Sequence, residues 1–286
     1  MFISERHEPL LPFPRLPETV RAGYSNSALA LRPFGLYESD LNVDFSHTLR
    51  PFLVTDVLKC CTRSTQEERC EQSFLWNLPV GKRIECLLTL LPSETGPEIP
   101  VTFRCPNQEC AQELEVEISL EEITALQARA YESERVVVRL ENGSWALRRP
   151  TGSDQLAWLK TSFVDQDAAR HAMLRTLLLE DAEETAIDDG TIPSELFPLV
   201  ERALEEFDPL VNFNLLVKCF SCEAESLFEI DLEELSLRGL RQAQLRLLAS
   251  VHNLAAHYHW SEQQVFSVPY WRRAHYLSLI KREKNQ

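Results

Sequence analysis

Hydrophobic positions along this chain change period several times, and each change marks an element. From about Phe52 to Leu91 the spacing is helical. The stretches are "FLVTDVLKCC" and "QEERCEQSFLWNLPVGKRIECLLTLL". In the second, Ile84, Leu87, Leu88 and Leu91 recur at i, i+3, i+4 and i+7, and Pro79 is placed to break or start a helix. The period then becomes two. Val101 and Phe103 alternate into Cys105, a short loop carries Cys110, and Leu114, Val116, Ile118 and Leu120 alternate out, which predicts a hairpin with cysteines at its turn. A short helix over "EEITALQARAYES" and a hairpin over "RVVVRLENGSWALRRP" follow, the latter with Asn142-Gly143 at its turn. Thr151 or Ser153 caps a helix in "TGSDQLAWLK", and "DAARHAMLRTLLL" and "PSELFPLVERALEEF" read as amphipathic helices. The acids between them, Glu180 to Asp189, read as a solvated loop. A second cysteine hairpin, "FNLLVKCFSCEAESLFEIDLEEL", leads into a long helix from about Glu233 to His257, interrupted in pattern only by Gly239. Ser261 with Glu262 starts a short helix, and Pro269 restarts another.

These elements predict an α+β fold: a mainly helical body, a small β unit made of two cysteine hairpins, and an adjacent β-hairpin. Residues 1–50 are Pro-rich and weakly periodic, an extended arm lying on the rest of the chain or on a partner. The "LRPF" at Leu31 and again at Leu49 is a chance echo. A helical segment spans 51–98. Residues 99–235 contain the cysteine hairpins (99–123 and 211–235) enclosing a hairpin-plus-helices insertion (124–210), and C-terminal helices occupy 236–286.

Composition narrows the function. A chain of 286 residues is long enough for a sizeable core, and 44% hydrophobic with 26% charged residues is an ordinary globular balance. A formal net charge of −15 repels polyanions and argues against nucleic-acid binding by phosphate neutralisation. No apolar run reaches the ~18 residues of a membrane span, and the proline-broken N-terminal stretch is not a signal peptide. The expected location is cytoplasmic, as a free protein or within an assembled particle.

In such a compartment, cysteines point to metal or free thiol rather than disulfide. Two of the eight-cysteine set's pairs stand apart: Cys105-x4-Cys110 and Cys219-x2-Cys222. The second has the standard knuckle spacing, and the first is a looser variant with Pro106 and Asn107 forming its turn. Seven residues after the last cysteine of each pair the chain writes nearly the same phrase, "EISLEEI" from Glu117 and "EIDLEEL" from Glu229. Tetrahedral zinc takes four soft ligands, often as two close pairs on two tight turns. The repeat therefore reads as two halves of one zinc ribbon, with Cys105, Cys110, Cys219 and Cys222 as ligands. Two reduced, unmetallated turns packed in a core are the other reading. A redox Cys-x-x-Cys opens a helix after a strand, which neither pair does. Four protein ligands leave no open coordination position, so the zinc would be structural and would tie the insertion's ends together.

The remaining chemistry is sparse. Cys60, Cys61, Cys70 and Cys86 lack a matching frame and read as buried or half-exposed thiols. His252 and His257 are five apart, about 140° around a helix, so with His259 they do not form a ligand face. The chain carries no H-E-x-x-H, no G-x-S-x-G and no dinucleotide glycine fingerprint, and "PVGKR" at Pro79 lacks the upstream glycine of a phosphate loop. No enzymatic site is expected.

The C-terminus is the most distinctive stretch. Its aromatics are dense, and five bases against one acid fill Tyr270 to Gln286. Such a tail suits a docking element, with Trp260, Trp271, Arg272, Arg273 and Tyr276 as partner-binding candidates, or a helix folded back on the acidic body. The pattern formed by Val251, His252, Leu254, Ala255, Tyr258, Trp260, Ser261, Glu262, Val265, Val268, Pro269, Arg272, Arg273, Tyr276 and Leu277 resembles a group of baseplate or tail-assembly proteins of contractile (T-even-like) phage tails and contractile injection systems. "FLWNLPVGKRIECLL", the paired cysteines, "RRPTGSDQLAWL" and "EEFDPL" resemble the same group, whereas the first 70 residues carry none of the likeness. The resemblance implies a non-enzymatic scaffold or chaperone for a baseplate, with other tail proteins as partners. An adaptor loading a cargo effector is the alternative, its acidic loop meeting a basic cargo. A zinc-ribbon nucleic-acid regulator is disfavoured by the net charge and by Glu109, Glu113, Glu223 and Glu225 beside the knuckles.

Overall fold

The computed structural model describes residues 10–17, 29–64, 71–91, 98–140, 143–179 and 193–284. The architecture is α+β: helices dominate, and the strands form small antiparallel sheets. Cys70, Asn142 of the expected turn and the acidic stretch from Glu180 to Asp189 lie outside the described residues.

The first sheet assembles residues distant in sequence. Strand β1 (Leu11–Pro12) pairs with β2 (Leu29–Leu31), which pairs with β3 (Thr62–Ser64), all antiparallel. Strand β3 falls inside the stretch read as helical from Phe52 onward. Its strand conformation is set by its partner β2 rather than by local periodicity. Helix α1 (Arg50–Cys61) has Pro51 in its first turn, where the missing N–H costs nothing. Short helix α2 (Gln72–Asn77) ends at Leu78, and Pro79 is the N-cap of α3 (Val80–Leu90). Helix α3 is the axis of the molecule, with Thr89 its one residue not classed as buried. One side, with Cys86, Leu87 and Leu90, joins Phe13, Leu16, Leu31, Phe34 and the α1 side chains in the largest core cluster. The other, with Val80, Ile84 and Leu88, packs on the roots of the cysteine hairpins. The described parts of the first 50 residues thus contribute directly to the core.

Strands β4 (Glu98–Arg104) and β5 (Glu113–Ser119) form the first cysteine hairpin, followed by α4 (Leu120–Ala130). Strands β6 (Val136–Leu140) and β7 (Gly143–Leu147) pair with Leu140 opposite Gly143, the register a two-residue connection requires. Thr151 caps α5 (Gly152–Lys160) in a reciprocal capping box with Asp154. Helices α6 (Gln166–Leu177) and α7 (Phe197–Phe207) close a separate core around Trp145, Leu174 and Val200. Strands β8 (Phe213–Lys218) and β9 (Glu225–Ile230) make the second cysteine hairpin.

Helix α8 (Leu232–Tyr258) then runs back along the body, burying Leu235, Leu237, Leu240, Ala243, Leu247, Val251 and Leu254. Gly239 sits within it because a Cβ there would stand 2.6 Å from Leu91 Cδ2. Helix α9 (Glu262–Ser267), capped by Ser261, and α10 (Tyr270–Lys284) fold back onto α8 through Val265, Tyr276 and Ile280.

Candidate metal centre

Each cysteine hairpin is a strand, a knuckle, a strand and a capped helix, and the hydrogen bonds repeat almost bond for bond. The N–H of Cys105 donates to the Gln112 carbonyl at 2.8 Å, and that of Cys219 to the Ala224 carbonyl at 2.9 Å. In each turn the residue after the second cysteine reaches four positions back: Ala111 N–H to Asn107 O and Glu223 N–H to Cys219 O. Those two residues share a left-handed backbone, with φ of 45° at Ala111 and 59° at Glu223. The first knuckle is two residues longer between its cysteines, so that Asn107, not Cys105, stands where Cys219 does in the second, and Asn107 Oδ1 also accepts from Glu109 N–H. The phrase repeated in the sequence has a clear local meaning. Its Ile118 and Ile230 bury at the end of each second strand, while Ser119 and Asp231 cap the helices that follow. Ser119 accepts from Glu122 N–H, Asp231 from Glu234 N–H, and the paired glutamates sit in the first turn, where the helix dipole favours negative charge.

The hairpins meet tip to tip. Phe103 of β4 stacks on Phe228 of β9, and Leu114 and Val217 bury beside them. This brings the four Sγ atoms of Cys105, Cys110, Cys219 and Cys222 within 4.8 Å of one another. Cys105 Sγ lies 3.6 Å from Cys222 Sγ, and Cys110 Sγ lies 3.8 Å from Cys219 Sγ. Both of these contacts cross between hairpins, so the four sulfurs form one cluster drawn from the two halves. Cys105 and Cys219 are buried; Cys110 and Cys222 are partly so. Burial pushes the Cys105 thiol up to about 12, whereas the N–H groups of Cys222 and Ser221 pull Cys219 down to about 7. A dication bound among the four sulfurs would displace the protons of both. Four cysteines this close can hold a metal ion. Among the described residues no other cluster of metal-ligating side chains forms.

The other sequence candidates fall elsewhere. Cys60 accepts from Arg32 Nη2 at 2.9 Å, Cys61 and Cys86 are buried, and His257 pairs with Glu283 at 3.3 Å. Trp260 and Tyr276 belong to an aromatic cluster with Tyr258, ring centroids 4.8–5.5 Å apart. Arg273 is buried and donates to the Leu36 carbonyl, while Arg272 is exposed and donates to the Tyr276 hydroxyl; Trp271 is 38% exposed.

A buried polar cluster escaped the sequence reading. Asp208, in "EEFDPL", accepts from Gly81 N–H at 3.3 Å and Gln127 Nε2 at 3.4 Å. Nearby, Arg149 lies between the Tyr131 and Phe207 rings and donates to the carbonyls of Ala130 and Phe207, the last residues of α4 and α7. Its neighbour Arg148 makes a two-pronged bond to Asp154, the capping-box partner of Thr151 at the start of α5. The stretches "RRPTGSD" and "EEFDPL" are thus joints between helices. Only their density of charged residues beside prolines could have pointed to them.

Comparison with known proteins finds no family model, no curated protein and no solved structure that matches this chain. Among the described residues, no helix is long and apolar enough to cross a membrane.

Proposed function

We propose that the four cysteines hold one structural zinc ion, forming a zinc ribbon, and that the protein is a non-enzymatic scaffold or chaperone in the assembly of a contractile-tail baseplate. The observation that carries the metal reading is the closeness of the four sulfurs across the two hairpins. A tetrahedral ion with Zn–S bonds of about 2.3 Å sets its sulfurs about 3.8 Å apart. Two pairs that cross between the hairpins, at 3.6 and 3.8 Å, already have that spacing. A four-sulfur site also suits iron, so the identity of the metal is read directly in the experiment. With every position filled by protein, the ion would serve the fold and activate no water. It would staple Cys105 to Cys222 across 117 positions of chain and hold the insertion's ends together.

The baseplate context rests on the C-terminal motif, in which Trp260, Tyr276 and Arg273 fasten α9 and α10 to the body and leave Arg272 and Trp271 on the surface. Other tail proteins would be the partners. The −15 charge and the acids beside both knuckles turn nucleic acid away.

The test is elemental and native mass spectrometry on protein purified without a metal-affinity tag. Co-expression with baseplate subunits of a contractile tail follows. One zinc per chain and a stable complex with a subunit are the expected results. Metal-free protein whose Cys219→Ser variant melts at the wild-type temperature would overturn the zinc ribbon, and failure to join any subunit would overturn the baseplate role.

A further inference from the structure

The two cysteine hairpins share a backbone plan, so their differences are informative. Aligned on the second cysteine and on strand register, Thr102 corresponds to Leu216, Gln108 to Phe220 and Glu115 to Leu227. Thr102 stands opposite Glu115 across β4–β5, and Leu216 stands opposite Leu227 across β8–β9, so each pair lies on the outer face of its hairpin. The first hairpin covers that face with polar side chains and adds Glu98, Glu113 and Glu117 to it. The second leaves Leu216 64% and Leu227 66% exposed on that face, and Phe220, in the knuckle beyond the strand ends, 74% exposed.

Folding does not explain the apolar set. The inner faces of both hairpins already bury what the core needs, namely Leu114, Ile118, Val217 and Ile230. The first hairpin also shows, within this same molecule, that the plan works with Thr, Gln and Glu on the outside. Burial of large apolar side chains is favourable, so three exposed together on one hairpin suit contact with another molecule. The knuckle's hydrogen bonds, Cys219 N–H to the Ala224 carbonyl and Glu223 N–H to the Cys219 carbonyl, hold the backbone on either side of Phe220, which lowers the backbone entropy lost on docking.

We propose that the outer face of the second hairpin, Leu216 and Leu227, together with the exposed Phe220 of the adjoining knuckle, docks a basic amphipathic helix of a partner protein. The charge of the rim selects the partner. Glu223, Glu225 and Glu229 surround the apolar residues with Lys218 as the one base, and Lys218 is paired with Glu223 at 3.4 Å. A helix bearing a Leu-rich stripe flanked by Lys or Arg matches both parts of the face. A second copy of this chain would press like charges together, each copy carrying −15. The inference deepens the scaffold reading and rests on it, but it does not depend on which metal the cysteines hold.

The test uses the full chain, a short designed Leu/Lys amphipathic helix as probe and a Leu/Glu helix of the same pattern as its control. Binding is read by fluorescence anisotropy at physiological salt. The variant Leu216→Thr, Phe220→Gln, Leu227→Glu gives the second hairpin the outer residues of the first. It adds a carboxylate, so a purely ionic attraction would tighten. We expect wild type to bind the Leu/Lys helix and not the Leu/Glu helix, and the variant to bind at least about tenfold more weakly with metal content and melting unchanged. Equal or tighter binding by the variant would overturn the proposal, as would equal binding of the two helices. A wild-type dimer in sedimentation that the variant dissolves would replace the partner helix with a second copy. Should the triple variant fold poorly, Leu227→Thr alone gives the same reading with a smaller loss.

Discussion

Phe103 and Phe228, which belong to different hairpins and lie far apart in sequence, stack with ring centroids 4.3 Å apart and planes inclined by 27°. The pair sits directly behind the sulfur cluster and aligns one hairpin tip with the other. Phe228→Ala removes that support. Because the ring is only partly buried, the cost should be about 2 kcal/mol, below the 3–5 typical of a fully buried Phe. With the proposed ion bound, the variant should also release it to a chromogenic chelator faster than wild type does, while Leu227→Thr, on the opposite face, should not.

Loss of a sulfur should act on metal and fold together. Cys219→Ser or Cys222→Ser should lower metal content below one ion per chain and depress the melting temperature, because binding free energy at such a site is folding free energy. Cys60→Ser, whose sulfur accepts from Arg32 in another part of the molecule, should keep the full metal content. Elemental analysis and thermal melts of the three variants check this.

Asp208 should make stability fall as pH rises. Burial pushes its carboxyl up from 3.8 to about 6, against the opposing pull of Arg149, Gln127 and Gly81. Below about pH 4 the group is protonated in both folded and unfolded chains. Between 4 and 6 the unfolded chain ionises first, so the stabilisation by the neutral buried acid is lost through that window and stays lost at pH 7. A shift of this size corresponds to about 2–3 kcal/mol. Asp208→Asn should therefore be more stable than wild type at pH 7 and no more stable at pH 4. Gln127 can turn its amide so that its now unpartnered Oε1 receives the new NH2. Urea denaturation of both proteins at the two pH values is the check.

Gly81→Ala should unfold what Asp208→Asn stabilises. A Cβ at Gly81 would lie 1.9 Å from Asp208 Oδ1 and 2.7 Å from Gln127 Nε2, so the helix must move or the cluster must break. The expected cost is about 3 kcal/mol, at the upper end for overpacking, measured by the same denaturation.

Asp40 organises the chain around Pro33. Its carboxylate accepts from the N–H groups of Gly35, Leu36 and Tyr37 and pairs with Arg32, both side chains being fully buried. Asp40→Ala strands the Arg32 charge and three backbone donors, and should cost about 3–5 kcal/mol. Removal of residues 1–50 should likewise abolish cooperative unfolding, since Phe13, Leu16, Leu31 and Phe34 belong to the main core. Circular dichroism melts would show both effects.

Local rules carried the sequence a long way. The helices capped by Thr151 and Ser261, the restart at Pro269, the long run of α8 and both cysteine hairpins follow from spacing and capping chemistry that act within a few residues. The repeated phrase was legible for the same reason: a buried isoleucine, a capping oxygen and two first-turn glutamates are a local instruction to end a strand and begin a helix. Tertiary structure decided what depends on partners distant in the chain. Thr62–Ser64 is a strand only because Leu29–Leu31 lies beside it. Gly81, which resembled part of a phosphate loop, is small because Asp208 occupies the space above it. The sequence alone named four cysteines. Only the packing between the hairpins, Phe103 on Phe228 with Leu114 and Val217 beside them, brings sulfurs from separate hairpins within 4.8 Å of one another, because contacts between remote strands leave no period in the sequence to read.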